Sequence, residues 1–329
     1  MDTSERMTVT SDSPPAGGRP QQRKRVKRDV NGWLLLDKPV GMTSTHAVSV
    51  AKRLFQAKRA GHAGTLDPLA SGCLPIALGE ATKTVPFVMD GRKTYQFTVR
   101  WGEERDTDDA EGKVAATSAI RPTADDILAL IPAFSGTIAQ VPPRFSAVKV
   151  EGERAYDLAR DGEVVELEAR PVVIHRFDLV GIPDADHAVL AAECGKGTYV
   201  RALARDMGRA LGCLGHVVAL RRTGVGPFRE EDAVSLDRLQ AAAPPEGGNP
   251  AQLLALLQPV AAGVASLPAF AVSRADAGRL ARGQSVLLRG RDAPILQGII
   301  AVSTQGELIA LAEAEQGELR PRRIFNLGT

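Results

Sequence analysis

The chain has 329 residues, 44% of them hydrophobic and 24% charged, with a formal net charge of +2. At ~150 residues per domain that length suggests about two domains, and the composition excludes collagen-like, wholly disordered and coiled-coil chains. Cys73, Cys194 and Cys213 show no C-x-x-C spacing, which indicates neither a disulfide framework nor a zinc site and makes a reducing cytoplasm the expected compartment.

Residues 1–30 carry seven Lys/Arg against four Asp/Glu, are rich in Ser, Pro and Gly, and lack an apolar signal segment. They read as a disordered basic tail. Trp33 to Leu36 reads as a short apolar strand ended by Asp37-Lys38-Pro39 and Gly41. Thr43 or Ser44 is placed to cap a helix with Ala47, Val50, Ala51, Leu54 and Phe55 on its apolar face. Residues 61–75 read as a loop dense in Gly and Pro. Thr94 to Trp101 alternates strictly, with Tyr95, Phe97, Val99 and Trp101 on one face of a half-buried strand. The run 103–112, with six acids and one Arg, reads as a solvated loop. Asp125 to Ile131 is expected to be a short helix, Val164 to Val180 and His187 to Cys194 strands, and Thr198 to Leu211 an amphipathic helix. These elements mix without a regular βαβ period, which favours α+β over a doubly wound sheet. Residues 31–240 then form one domain, 241–258 a linker, and 259–329 a small β-rich domain. The uncharged stretch from Asn249 to Arg274 is long enough to cross a membrane, but three prolines and Asn and Gln residues break it, so no membrane partner is expected.

The small net charge conceals two basic runs. Residues 38–64 hold Lys38, Lys52, Arg53, Lys58 and Arg59 with no acid, and residues 196–229 hold seven Lys/Arg against Asp206 alone. Such patches on a near-neutral body are the expected footprint of a polyanion site, although solvated helix faces give the same pattern. The chain has no G-x-G-x-x-G after a strand, no P-loop, no G-x-S-x-G and no H-E-x-x-H. None of its five histidines stands at metal-ligand spacing, so dinucleotide, nucleotide and zinc chemistry are disfavoured. What remains is Gly61-His62-Ala63-Gly64-Thr65-Leu66-Asp67-Pro68-Leu69-Ala70-Ser71-Gly72. Its glycines would let backbone approach a ligand closely, and Pro68 holds Asp67 out of helical conformation. A carboxylate fixed that way suits a base or nucleophile, though an Asp before Pro is first of all a turn residue.

The wider stretch 61–83, GHAGTLDPLASGCLPIALGEATK, resembles the catalytic motif of the TruB family, bacterial pseudouridine synthases that isomerise uridine 55 in the T-loop of tRNA. The resemblance continues, in order, through Leu36-Asp37-Lys38-Pro39-Val40-Gly41-Met42-Thr43-Ser44, Lys93-Thr94-Tyr95, Pro142-Pro143-Arg144-Phe145-Ser146-Ala147, Gly197-Thr198-Tyr199-Val200-Arg201 and Leu220-Arg221-Arg222-Thr223. It implies the pseudouridine synthase fold, a mixed, mainly antiparallel sheet flanked by helices, with a PUA-like RNA-binding domain at the C-terminus. It also implies roles: Asp67 as the catalytic carboxylate, Arg201 as its partner, and Tyr95 stacked on the target base. Tyr199 and Leu220 would line the pocket, Lys38 and Pro39 would form a basic loop beside it, and His62 would fill the gap left by the flipped nucleotide. Phe145 departs from the family's usual Tyr, keeping the ring and losing the hydroxyl. The reaction transfers nothing, so it needs no cofactor and no metal. An insertion at about 136–160 resembles the thumb loop of the stand-alone enzymes, and no lysine-rich C-terminal tail is present. The implied partner is therefore the tRNA T-arm, without guide RNA, for a monomeric enzyme.

Overall fold

The computed structural model describes residues 27–146, 149–150, 153–154, 167–245, 248–288 and 295–327. The expected tail up to residue 26, and much of the expected insertion after Ser146, lie outside the described residues.

A mixed ten-stranded sheet carries the molecule. In chain order its first half runs β1 (Gly32–Lys38), α1 (Ser44–Leu54), β2 (Ala60–His62), β3 (Ala70–Leu78), α2 (Val85–Asp90) and β4 (Lys93–Trp101). A side hairpin, β5 (Glu103–Arg105) with β6 (Val114–Thr117), and α3 (Ala124–Leu130) follow, then β7 (Gly136–Gln140) and the short pair β8 (Lys149–Val150) and β9 (Glu153–Arg154). The second half is β10 (Arg170–Asp184), β11 (His187–Cys194), α4 (Val200–Ala210), β12 (Gly215–Val225), β13 (Phe228–Arg229) and β14 (Val234–Ser235). Laterally the order is β14-β1-β3-β12-β4-β11-β10-β7, with β2 beside β3 and β13 beside β12. Among the described strands of this sheet, only β1 with β14 and β3 with β12 pair in parallel. This is the mixed, mainly antiparallel α+β architecture expected.

Strand chemistry follows burial. β1 is apolar without alternation because both its faces are covered: Leu34 and Leu36 join the core with Ala47 and Ala51 of α1, while Trp33 and Leu35 join Val225 and Phe228. The Trp33 and Phe228 rings lie 5.1 Å apart. β4 alternates as expected, with Phe97, Val99 and Trp101 buried. Of the residues expected to form a loop over 61–75, 63–69 do so, while the flanking ones end β2 and begin β3. Gly72 and Pro75, residues depleted from strands, hid that strand from a propensity reading. α4 begins at Val200, later than expected, because Tyr199 is an extended N-cap residue with φ −106° and ψ 114°.

The linker expected at 241–258 is part of the first core. Leu253, in the helix α6 (Ala251–Leu254) that follows α5 (Leu236–Ala241), is buried with Leu239. Gln258 exchanges two backbone hydrogen bonds with Trp33, each 2.8 Å. Val260 and Val264 cover the Trp33 side of the sheet, so the C-terminal unit begins at Ala269 rather than 259. It comprises β15 (Ala269–Ala271), α7 (Arg274–Ala281), β16 (Val286–Leu287), β17 (Gly298–Thr304), β18 (Glu307–Glu315) and β19 (Glu318–Ile324). Its five-stranded sheet, ordered β15-β17-β18-β19-β16, closes on Leu280, Ile300, Val302 and Leu319.

Candidate active site

Asp67 stands on the turn between β2 and β3, and its neighbours are gripped from two sides. The Ser44 hydroxyl accepts from the Leu66 N–H at 2.8 Å and donates to the Leu66 carbonyl at 2.9 Å. The Gly41 N–H donates to the Pro68 carbonyl at 2.8 Å. Thr43 is the residue that caps α1, leaving Ser44 free for this clasp. From β12, Arg222 donates to the carbonyls of Cys73 (2.8 Å), Gly64 (3.1 Å) and Thr65 (3.3 Å). Gly72 was expected to make room for a ligand. Its φ of +98° and the overlap a Cβ would make with the Arg222 carbonyl show that it makes room for β12.

Arg201, in the first turn of α4, completes the constellation. Its guanidinium lies 2.9 Å from Asp67 Oδ2 and 3.4 Å from Asp109 Oδ2, and it donates to the carbonyls of Thr107 (2.9 Å) and Phe145 (3.0 Å). The Arg201 side chain is 7% exposed and that of Asp67 39%, so the carboxylate faces outward from a buried cationic support. Asp109 is itself fixed by the Thr107 hydroxyl at 2.5 Å and the Glu111 N–H at 3.1 Å. One turn on, Arg205 pairs with Asp108 at 2.9 Å and Asp206 at 2.8 Å and donates to the Val141 carbonyl at 2.8 Å. Arg209, a further turn on, pairs with both oxygens of Glu104. The acidic run is therefore not a solvated loop. Its side chains meet arginines spaced four apart on one face of α4, and burial pushes Asp108 up to about 6 against the pull of Arg205 and Arg201.

A cleft of about 460 Å³ opens beside Asp67, lined among others by Lys93, Tyr95, Tyr199, Leu220 and Arg222. Tyr95 on β4 sits opposite Arg222 of β12 and Ala192 of β11. Burial raises the pKa of its hydroxyl, and the adjoining Arg222 opposes that shift. Tyr199 is held by the Gln140 side chain, which accepts from its N–H at 2.8 Å and donates to its carbonyl at 3.2 Å. Five of the eight residues singled out in the sequence, Asp67, Tyr95, Tyr199, Arg201 and Leu220, thus meet at one cleft. Lys38, Pro39 and His62 do not line it. Lys38 is fully buried, donates to the carbonyls of Pro39 (2.9 Å) and Met42 (2.7 Å), and burial lowers its pKa to about 8 against the pull of Asp67. It braces the turn that grips Asp67. Pro39 is exposed on that turn, and His62 ends β2, half-buried, with its pKa lowered by burial and by Arg222.

Sequence reasoning did not single out Ser44, Asp109, Gln140 or Arg222 as site residues. Ser44 and Arg222 lay inside matched segments, whereas nothing local marked Asp109 or Gln140. The two basic runs are also largely consumed internally. Arg221 pairs with Asp37 and Glu230, Lys196 with Asp90, Lys58 with Asp29 and Arg59 with Glu80. Many of these like charges meet acids from elsewhere in the fold.

Residues 52–200 match the N-terminal domain of TruB family pseudouridylate synthases, and residues 201–265 match the C-terminal domain of tRNA pseudouridylate synthase B. The chain is 67% identical over 306 residues to tRNA pseudouridine synthase B of Bradyrhizobium diazoefficiens, covering 93% of this chain and 89% of the relative. It is 54% identical over 319 residues to that of Brucella ovis, covering 93% and 98%. Among solved structures it is similar to a chain in a Cbf5–Nop10–Gar1 complex, with 26% identity, a TM-score of 0.70 and coverage of 89% and 84%. It is also similar to one in an archaeal box H/ACA Nop10–Cbf5 complex, with 27% identity, a TM-score of 0.68 and coverage of 89% and 85%.

Proposed function

The chain belongs to the TruB family of pseudouridylate synthases, and from that premise we propose that it isomerises uridine 55 of the tRNA T-loop with Asp67 as the catalytic carboxylate. That the enzyme converts uridine to pseudouridine in tRNA follows from the family and the names its relatives carry. The observation that carries the finer reading is the Asp67–Arg201 pair at 2.9 Å, at a cleft walled by Tyr95, Tyr199 and Leu220.

The chemistry asks for little else. N1–C1′ must break, the base must turn, and C5–C1′ must form, with no atom gained or lost. Asp67 is paired with Arg201 and half-exposed, placed as a nucleophile or base toward the ribose or the base must be. Extruding the nucleotide costs a few kcal/mol, and stacking on an aromatic ring returns ~1–3 kcal/mol, the part assigned to Tyr95. His62 is assigned the space vacated in the RNA, Tyr199 and Leu220 the pocket wall, and Lys38 with Pro39 the loop at its edge. The C-terminal sheet is assigned PUA-like RNA binding, and the enzyme acts on the T-arm as a monomer without guide RNA. Incubating the pure protein with an unmodified T-arm hairpin and mapping pseudouridine tests this reading. Modification at the position equivalent to 55 is expected, and no modification, or modification elsewhere, defeats it.

A further inference from the structure

Three cations around the cleft are buried without an acid. Arg222 is 1% exposed, Lys93 8% and Lys38 0%. None forms an ion pair among the described residues. Arg222 donates to three carbonyls, Lys93 to those of Met89 and Gly91 at the end of α2, and Lys38 to those of Pro39 and Met42. Taking a charge out of water costs several kcal/mol unless something compensates. Elsewhere this chain does compensate, since Arg201 and Arg205 on the same wall meet Asp67, Asp109 and Asp108. Arg222 and Lys93 line the cleft, and neutral carbonyls leave their charge in place. The carboxylates facing this group are Asp67, felt by Lys38 and Tyr95, and Asp90, felt by Lys93. Both are already engaged, with Arg201 and with Lys196.

We propose that Arg222 and Lys93, with Lys38 behind them, form a fixed positive field that stabilises the negative charge on the uracil while it is detached from the ribose. Breaking N1–C1′ leaves the bonding pair on the base, spread over N1, O2 and O4, and leaves C1′ electron-deficient. The base uses that charge to form C5–C1′, and the C5 proton is lost while N1 gains one, so atoms and charge balance. The anion exists only between the two bonds, so a preorganised field aimed at it lowers the barrier without tightening ground-state binding. Burial lowers the pKa of His62, Lys38 and Lys93, and the nearby Arg222 charge adds to the shift in each. The inference rests on the isomerase reading and adds to it the means by which the departing base is held.

Charge can be separated from hydrogen bonding in the intact protein. Arg222→Gln and Lys93→Gln still donate to carbonyls but are neutral, whereas Arg222→Lys and Lys93→Arg keep the charge. With saturating T-arm hairpin, single-turnover rates should fall on the order of 10²-fold in each Gln variant, with Kd within threefold of wild type. The charge-keeping variants should stay within tenfold. Removing the Arg222 charge should also raise the His62 pKa read by NMR, and Arg222→Lys should not. If Arg222→Gln misfolds by thermal melting, the Lys93 pair decides alone, because the Lys93 ammonium donates to two carbonyls at the end of α2 and braces none of the turn that carries Asp67. Folded Gln variants within threefold of the wild-type rate would overturn the inference, as would equal losses in Gln and charge-keeping variants. A wild-type protein inactive on the hairpin would instead overturn the isomerase reading.

Discussion

A single carboxylate is useful here because of what surrounds it. Asp67 rests on an arginine that a second acid, Asp109, also holds, so Arg201 can orient Asp67 without being drawn out of the wall. On the proposed role of Asp67, replacing it with Asn removes the reacting carboxylate and few phosphate contacts. Isomerisation should be abolished while tRNA affinity stays within a few-fold, measured by pseudouridine mapping and filter binding. Turnover within tenfold of wild type would remove Asp67 from its role. Asp108 makes a separate, titratable contribution. Its pKa, raised by burial to about 6 from an unfolded value of 3.8, means that the folded protein binds more protons between those values. Stability from this group is therefore greatest below about pH 4 and falls as pH rises to about 6, by at most ~3 kcal/mol. Asp108→Asn should abolish that component. Subtracting the mutant's Tm-versus-pH curve from that of wild type should give a difference that changes only between about pH 4 and 6, and a flat difference would refute the assignment.

At the scale of elements, two junctions set the site. Helix α4 presents Arg201, Arg205 and Arg209 on one face, and the β5–β6 hairpin supplies an acid to each. The parallel crossing of β3 and β12 is the tighter junction, pairing Gly72 with Arg222 and Ala70 with Leu220. A side chain at 72 would meet the Arg222 backbone and would also be held at φ +98°, each strained. Gly72→Ala should therefore cost about 2–4 kcal/mol in urea unfolding. It should also reduce activity more than its stability loss explains, because the displaced Arg222 carries the carbonyls of Gly64 and Thr65 with it. A variant with normal stability would mean that the two strands separate easily there.

Over the whole molecule, one buried acid joins the two sheets. Glu80, with a side chain 6% exposed, pairs with Arg59 at 2.7 Å and Lys83 at 2.5 Å and accepts from the Asn326 N–H at 2.8 Å. Lys83 also donates to the Ile324 carbonyl at 2.6 Å and lies 5.8 Å from the centre of the Phe325 ring, which packs into the Trp33 core. Deleting Glu80 removes the shared acceptor of Arg59, Lys83 and the Asn326 N–H, and a hydrogen bond to a charged group is worth about 1.5–3 kcal/mol. Glu80→Ala should therefore speed hydrogen exchange across residues 318–327 while β4 and β12 keep their protection. Uniform exchange over both sheets would show that they unfold as one unit rather than through this joint.

The sequence by itself determined the family, the mixed α+β class and five residues of the cleft. Each of those rests on local features: Asp67 held by Pro68, Tyr95 in an alternating strand, and matched segments in fixed order. Tertiary structure decided the rest, because charge and glycine report nothing about partners distant in the chain. Whether Asp109 is a surface acid or a buried ligand of Arg201 depends on a contact across 92 positions of chain that no local pattern encodes. Basic runs that look like an RNA-binding surface are spent in part on Asp37, Glu80, Asp90 and Glu230. The segment 241–258 resembles a linker by its prolines and glycines, yet Leu253 and Gln258 close the first core. The reason is common to all three: composition fixes what a side chain can do, and the free energy of burial decides which distant partner it does it with.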